Sequence, residues 1–249
     1  MSRHEYRFYA PDLSQTEVSI LGPEVHHAVN VLRLAGGAEV ELFDGRGKSA
    51  VGVVHQANRG ELVVRIDRLH QAKPIIPPIR LCCALPKGSR LDWLLEKMTE
   101  LGAESFRPVI FERSQAKSAD LSDHKKQRWL AICVAAAKQS GLDFLPRFEK
   151  PLRLEDLARQ MDTGDSLKLM GEADVSSMPL AQPLAGHQKK RPIMVLIGPE
   201  GGLSESEKTQ ARSAGFAPVC LVATTLRIET AAIAMLAGIR AICQTLPDE

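Results

Sequence analysis

One stretch of fifteen residues, IMVLIGPEGGLSESE at positions 193–207, constrains the fold of this chain more than any other. It begins with a short apolar run, passes through a glycine-rich turn at 198–202, and ends in a helix start where Ser204 and Glu207 have capping-box spacing. A strand that enters a helix through a tight glycine turn builds the ligand crevice at the carboxyl edge of an open α/β sheet. We therefore predict a binding site at this loop.

The predicted loop is acidic, which limits the ligand. Glu200, Glu205 and Glu207 stand where a phosphate-binding loop relies on backbone N–H groups and the positive end of a helix. Neither G-x-G-x-x-G nor G-x-x-x-x-G-K-[ST] occurs here. The sequence therefore predicts a small ligand that is not a polyphosphate.

The second half of the chain alternates between strand and helix patterns. We predict strands at 80–85, 106–110, 167–170, 193–197 and 219–222, and helices at 89–101, 122–140, 154–161, from 204 and from about 229. Alternation of this kind indicates βαβ units in a parallel sheet with helices on both faces.

The first half of the chain has a different pattern. Short strands at 38–43, 50–55 and 61–66 are separated by Asp44-Gly45 and by an Asn-Arg-Gly turn, and one helix is predicted over 23–34. This pattern favours a small β-barrel. The proline-rich segment KPIIPP at 73–78 is typical of a linker, so we predict domains at 1–72 and 73–249.

Composition adds few constraints. A chain of 249 residues with a formal net charge of +2 can bury a substantial core, and its charge alone does not indicate nucleic acid. The five cysteines lack metal-type spacing and mostly lie in apolar runs, which predicts buried, reduced thiols in a cytoplasmic protein. We expect no membrane segment and no metal, since no Cys or carboxylate cluster accompanies the His26-His27 pair.

Other segments are candidates for chemistry, each with a plainer structural explanation. Arg227, Glu229 and Thr230 follow the last predicted strand, where they form either part of a site or an ordinary helix start. Lys87 and Arg90 follow the strand at 80–85, as phosphate contacts or as solvated side chains.

The chain resembles a known family, the bacterial 16S rRNA (uracil-N3) methyltransferases of the knotted SPOUT class. Each matching motif is weak alone, but all occur in the family's order and span nearly the whole chain. The motifs are RFY (7–9), HHAVNVLRL (26–34), LFDG (42–45), LPKGSRLDWLLEKMTELG (85–102), ERSQAK (112–117), KQSG (138–141), IGPEGGLSESE (197–207) and LRIETA (226–231).

The resemblance implies an α/β fold with an N-terminal PUA-like β-barrel that grips RNA and a C-terminal SPOUT methyltransferase domain with a trefoil knot. It also implies S-adenosylmethionine as cofactor, a homodimer that completes the active site, and 16S rRNA in the small ribosomal subunit as partner. The cofactor-binding positions carried over from the family are Leu169, Met170, Gly171, Ile197, Gly198, Pro199, Glu200, Gly201, Gly202, Leu221, Val222, Leu226, Arg227 and Thr230. A sulfonium cofactor without phosphate is compatible with an acidic loop.

For the reaction, we predict that Arg227 stabilises negative charge on the uracil carbonyls and that Glu200 or Glu229 accepts the N3 proton. Either glutamate could instead only orient Arg227 or the loop. The positions predicted to contact the RNA backbone are Arg7, Arg33, Lys87, Arg90 and Arg113.

The chain departs from the family pattern at three positions. Val222 and Thr224 replace a glycine and an arginine, and Leu142 stands where an arginine is usual. These departures favour an alternative, a non-catalytic RNA-binding or ribosome-assembly protein that kept the fold. A nucleotide-dependent oxidoreductase is a second alternative, although the missing G-x-G-x-x-G argues against it.

Overall fold

The computed structural model describes residues 6–26, 28–29, 32–114, 122–160, 166–174 and 177–246. The chain divides into two compact units. The first comprises Met1–Pro74 and Val134–Leu145, and the second comprises Ile75–Cys133 and Pro146–Glu249. The division after Pro74 falls inside the predicted linker, but the domain predicted at 1–72 did not include Val134–Leu145.

The first unit contains a five-stranded sheet in the order β1-β3-β4-β5-β2. Its elements are β1 (Arg7–Tyr9), β2 (Glu17–Leu21), α1 (Pro23–His26), β3 (Glu39–Phe43), β4 (Lys48–Ala57) and β5 (Glu61–Gln71). β1 pairs with β3 in parallel, and the other pairs are antiparallel. The three predicted strands are confirmed as β3, β4 and β5, while β1 and β2 were not predicted.

The core of this unit contains fully buried side chains such as Phe8, Leu42 and Leu62. In β2, Val18 and Ile20 face inward while their neighbours are exposed. That alternation is the sequence signal for β2.

The helix predicted over 23–34 is shorter in the structure, and its predicted end is wrong. α1 covers only Pro23–His26. Arg33 has a left-handed backbone with φ of 53°, and the N–H of Leu34 donates to the carbonyl of Ala28 at 3.0 Å. An α-helix cannot continue through a left-handed residue, so the chain leaves the helix before Leu34. Positions 27, 30 and 31 lie outside the described residues.

The segment Val134–Leu145 contains the end of α3 (Asp123–Ser140) and the turn that follows. Gly141, with φ of 76°, ends the helix, and its N–H donates to the carbonyl of Ala137 at 2.9 Å. The QSG motif is therefore a helix stop of the ordinary kind.

Arg7 binds this helix end from β1. Its guanidinium donates to the carbonyls of Ala137 and Leu142 at 2.9 and 3.0 Å and to the carboxylate of Asp143. The residue is only 8% exposed, and its guanidinium lies over the Phe43 ring. Because its donors are buried against the carbonyls of Ala137 and Leu142, we assign Arg7 a structural role in place of the predicted contact with RNA backbone.

The second unit contains a sheet in the order β11-β13-β10-β12-β6-β7-β8, with β9 beside β7, and every pair is parallel. Its strands are β6 (Ile79–Cys83), β7 (Ser105–Ile110), β8 (Arg147–Phe148), β9 (Leu152–Arg153), β10 (Leu167–Gly171), β11 (Met178–Pro179), β12 (Ile193–Ile197) and β13 (Ala217–Cys220). Its other helices are α2 (Ser89–Glu100), α4 (Leu154–Gln160), α5 (Ala181–Leu184), α6 (Glu205–Ser213) and α7 (Ile228–Gln244). The five predicted strands and the alternating α/β pattern are confirmed.

The path of the chain after β12 distinguishes this fold from a simple open sheet. The connection through α6 to β13 passes β10, and α7 then returns to pack against α2, β6 and β12. This return across strands already laid down is the path that the predicted C-terminal knot requires. Arg240 holds α7 in this position, because its guanidinium donates to the carbonyls of Pro77, Leu101 and Gly102 at 2.7, 2.9 and 2.7 Å.

The cysteines match their prediction. All five are free thiols, and only Cys220 is not buried. Burial raises the pKa of both Cys82 and Cys133 to about 12. Among the described residues, none of the helices has the length and apolar character needed to cross a membrane.

Candidate functional site

The glycine-rich loop lies where the sequence predicts it, between β12 and α6. Gly202 has φ of 68°, a conformation that favours glycine, and a side chain at Gly198 would collide with Leu203. The Ser204 hydroxyl accepts from the Glu207 N–H at 3.3 Å, and the Glu207 carboxylate accepts from the Ser204 N–H at 2.9 Å. The predicted capping box is confirmed, and it fixes the direction of the chain as it leaves the loop.

A cavity of about 310 Å³ opens at the carboxyl ends of β10, β12 and β13. Its walls are mostly apolar side chains and backbone from these strand ends and from the start of α7. The lining residues are Gly171, Glu172, Ala173, Ile197, Gly198, Pro199, Glu200, Gly201, Gly202, Leu203, Val219, Leu221, Val222, Thr224, Thr225, Leu226, Ile228, Ala231 and Met235.

Most positions predicted to bind cofactor line this cavity, but four do not. The side chains of Leu169 and Met170 are fully buried within the sheet. Arg227 and Thr230 are exposed beside the cavity, on the first turn of α7 or just before it. Val222 stands at the rim with 45% of its surface exposed, so it does not fill the cavity.

Glu172 is a wall residue that was not predicted. Its Oε2 is buried, forms no hydrogen bond with any described residue, and lies 3.8 Å from the Lys208 Nζ. The signal was available in the sequence, because Glu172 directly follows β10 and polar groups after parallel strands gather at one sheet edge.

The interpretation of the loop's acidity needs correction. Glu207 is buried in the capping box and also accepts from the N–H of Glu112 at 2.8 Å. Glu205 is exposed and pairs with Lys208 at 3.1 Å. Of the three loop carboxylates only Glu200 lines the cavity, because the other two belong to the first turn of α6.

A cationic cleft lies on the other side of the same loop. It shares Pro199, Glu200, Gly201 and Ile228 with the cavity, so these residues form the wall between the two spaces. Its remaining lining residues are Ala84, Leu85, Pro86, Lys87, Arg90, Val109, Ile110, Arg113 and Ser114. The structure therefore brings together three predicted RNA-contact residues at one place.

Two of these cations hold the loop. Arg90 of α2 donates to the Glu200 carboxylate, and Nη1 of Arg113 donates to the Gly201 carbonyl at 2.8 Å. The bond from the Glu112 N–H to Glu207 fixes the turn that carries Arg113. Lys87 is exposed on the cleft wall, and no contact of it with the loop is seen.

Glu229 differs from Glu200 in its surroundings. It is 4% exposed in the first turn of α7 and lines neither space, and its Oε2 accepts no hydrogen bond from the part of the chain that the structure describes. Arg33, the remaining predicted RNA contact, is exposed in the first unit.

Comparisons with known proteins agree with this arrangement. Residues 73–240 match the family described as an RNA methyltransferase domain, and residues 20–67 match an RNA methyltransferase PUA domain. The chain is 32% identical over 240 residues to ribosomal RNA small subunit methyltransferase E of Mycobacterium bovis, covering 93% of this chain and 90% of that protein. It is also 32% identical over 237 residues to the enzyme of that name from Bacillus subtilis, covering 89% and 88%.

A solved structure has the same fold. Ribosomal RNA small subunit methyltransferase E from Neisseria gonorrhoeae, crystallised with S-adenosyl methionine, superposes with a TM-score of 0.83 at 29% identity. The match covers 96% of this chain and 98% of that one. The fold and the site thus define an RNA methyltransferase with a PUA domain and a SPOUT-type α/β domain. Within that class, the chain belongs to the ribosomal RNA small subunit methyltransferase E family.

Proposed function

We propose that this chain transfers a methyl group from S-adenosylmethionine to N3 of a uridine in 16S rRNA of the small ribosomal subunit. The observation that carries the proposal is a cofactor-sized cavity that shares its glycine-loop wall with a cationic cleft. A methyl donor and an RNA base can then meet across one short loop. Family membership supports this catalytic function over the non-catalytic alternative and over the oxidoreductase.

The cavity residues fit this cofactor. Its walls offer apolar surface and close backbone approach at Gly198 and Gly202 rather than a phosphate cradle. Glu172 Oε2, which lies 3.8 Å from the Lys208 Nζ and accepts no hydrogen bond from the described residues, provides an acceptor for a hydroxyl or ammonium group. When bound, S-adenosylmethionine supplies an electrophilic methyl group on a sulfonium, which becomes a neutral thioether as the S–CH₃ bond breaks.

In the reaction, the protein must accept one proton from the base and stabilise the negative charge that develops on the base. The N3 proton passes to a carboxylate, and the carbonyls at C2 and C4 carry the negative charge left on the base until the new N3–CH₃ bond neutralises it. Arg227, exposed between two cavity residues and without a side-chain capping bond, is our candidate for stabilising that charge.

Glu200 is the better candidate for the base. Its carboxylate lies in the wall between the two spaces and is oriented by Arg90, whereas Glu229 lines neither space. Glu229, buried in the first turn of α7, is instead suited to a structural role, in which its negative charge interacts with the positive end of that helix.

We further propose that the protein acts in the cytoplasm as a homodimer. Trp93, 44% exposed on α2, provides apolar surface suited to an interface. The first unit, with its PUA match and exposed Arg33, would bind RNA. Light scattering during gel filtration tests the dimer, and a monomeric mass at micromolar concentration would exclude it.

The function is tested by incubating the protein with small subunits that lack the modification and with methyl-labelled cofactor, then mapping the methylated nucleotide. The proposal requires one labelled uridine carrying the methyl at N3. Label on another base, or none, would refute it.

Arg227→Ala tests the role of that residue in the same assay. We expect turnover to fall at least 100-fold while the cofactor Kd changes less than threefold, because charge stabilisation acts in the transition state. Arg212→Ala, an exposed arginine on α6, is the matched control. Near-wild-type turnover of Arg227→Ala would remove Arg227 from the mechanism.

A further inference from the structure

A second large space lies in the second unit, at the edge of the parallel sheet opposite the cofactor cavity. It has a volume of about 560 Å³ and shares no lining residue with the cavity or with the cationic cleft. We call it the amino-end groove, because it opens where β6, β10 and β12 begin. Its charged lining residues are Arg80, Arg107, Glu149, Lys168, Lys190 and Arg191.

The amino-end groove is strongly cationic. Five of its side chains are cations and one is a carboxylate, an excess larger than the formal net charge of +2 on the whole chain. The carboxylate, Glu149, accepts from Arg107. Arg80 Nε donates to Glu104 at 3.1 Å, and Glu104 also accepts from Arg147 at 2.9 Å, so two arginines share that carboxylate. These pairs therefore leave a positive charge in the groove.

The strand register determines how far apart these cations lie. Lys168 of β10 pairs with Met194 of β12, which pairs with Arg80 of β6, so the three residues form one row. With strands about 4.8 Å apart, the backbones of Lys168 and Arg80 are roughly 10 Å apart. Their side chains diverge, because Lys168 Nζ donates to the Ala214 carbonyl beside β13 at 3.0 Å and Arg80 donates to Glu104 beside β7. A single phosphate ion is too small to contact both cations, whereas a chain of phosphates can.

The cations keep donors for such a ligand. Neither Nη group of Arg80 forms a hydrogen bond with a described residue, and the contact with Ala214 uses one of the three donors of Lys168. Lys190 is exposed in the segment before β12. A guanidinium fork can donate two parallel bonds to a phosphate, and a lysine binds it as a point charge. Apolar lining residues such as Leu157 offer surface to the sugars.

We propose that the amino-end groove binds the phosphate backbone of an RNA segment close to the methylated nucleotide. The inference rests on the function proposed above and adds a docking surface for the same RNA, outside the cofactor cavity and the cationic cleft. The separation is short, because Met194 lines the groove, Ile197 lines the cavity, and three residues along a strand span about 10 Å. Contacts of this kind position the RNA without reading its sequence.

The double variant Arg80→Met with Lys190→Met tests the proposal. The measurement is the Kd of protein saturated with S-adenosylhomocysteine for small subunits that lack the modification, at several KCl concentrations and constant Mg²⁺. Each lost phosphate contact lowers the slope of log K against log salt by about 0.7–0.9, so we expect a slope smaller by about 1.5. At the lowest salt concentration the affinity should fall at least tenfold. The Kd for S-adenosylmethionine should stay within twofold, because neither residue lines the cavity.

Two controls accompany this variant. Arg80→Lys with Lys190→Arg keeps both charges and should keep the slope of the wild-type protein. Lys126→Met removes an exposed lysine of α3 outside the groove and should leave both the slope and the affinity unchanged. Arg80→Met should not unfold the protein, because Glu104 keeps Arg147 as a partner. If urea unfolding shows a defect, Lys190→Met alone should still lower the slope by about 0.8.

An unchanged salt slope in the double variant would overturn the proposal, and so would an equal loss of affinity in the variant that keeps both charges. Calorimetry with ATP identifies a different ligand. If the double variant abolished ATP binding but left the slope for small subunits unchanged, the groove would be a site for a free nucleotide. Failure of the wild-type protein to methylate N3 would refute the proposed function, whereas the salt slope, measured without methyl transfer, tests the groove separately.

Discussion

Replacing Arg7 with methionine tests whether this residue is structural, as its contacts indicate. The substitution keeps much of the side chain's length but removes the guanidinium that binds the carbonyls of Ala137 and Leu142 and the carboxylate of Asp143. It leaves Asp143, with a side chain only 13% exposed, without that partner.

The expected loss follows from these contacts. Removing one partner of a buried, hydrogen-bonded charge pair costs about 3–5 kcal/mol. Three bonds from a charged donor, at roughly 1.5 kcal/mol each, give a similar figure. We therefore expect Arg7→Met to lower the free energy of unfolding by about 3–4 kcal/mol, a large share of the roughly 5–15 kcal/mol typical of a folded domain.

Urea unfolding followed by circular dichroism measures this loss, with the exposed Arg59→Met as control. Arg7→Lys separates structure from RNA binding, because lysine keeps the charge that a phosphate needs but lacks the planar fork that reaches several carbonyls. We expect Arg7→Lys to be destabilised by more than 1 kcal/mol. A loss below about 1 kcal/mol in Arg7→Met, with weakened RNA binding, would refute the reasoning.

Two further predictions follow from the site and the core. Ser204→Ala should destabilise the protein by about 1 kcal/mol in urea unfolding, because it removes one half of the capping box, whereas Ser213→Ala at the exposed end of α6 should have little effect. Equal effects would contradict the capping role. In native protein at pH 8, iodoacetamide should label Cys220 first, as found by peptide mapping. Burial raises the pKa of Cys82 and Cys133 to about 12, which leaves a thiolate fraction of about 10⁻⁴, and comparable labelling of either would contradict that.

Local signals in the sequence were sufficient for much of the fold. The apolar run at Ile193–Ile197, the glycine turn and the capping box all depend on neighbours within a few residues, and all are present in the structure. The same is true of β6, β7, β10 and β13, whereas the two-residue strands β8, β9 and β11 were not predicted. The prediction of a helix over 23–34 was wrong at its C-terminal end, because the sequence pattern did not reveal the left-handed backbone at Arg33.

The role of each charged side chain could not be predicted from the sequence in the same way. Arg7 and Arg113 are both arginines in recognisable motifs, yet Arg7 is buried against a helix end and Arg113 holds the glycine-rich loop. Glu200 and Glu207 lie seven positions apart, and only the first faces the cavity. A charged side chain interacts with the groups that are near it in space, and among these residues the partner lies up to 136 positions away in the sequence.

The sequence by itself therefore determined the two-part organisation, the parallel sheet and the place of the glycine-rich loop, because periodicity, turn residues and caps act over short distances. Only the tertiary structure showed that Arg90 and Arg113 hold that loop. It also showed that Lys87 lines the same cleft as these two residues, and that the cleft shares a wall with the cavity. The physical reason is that parallel strands carry residues distant in sequence to one edge, where their side chains meet.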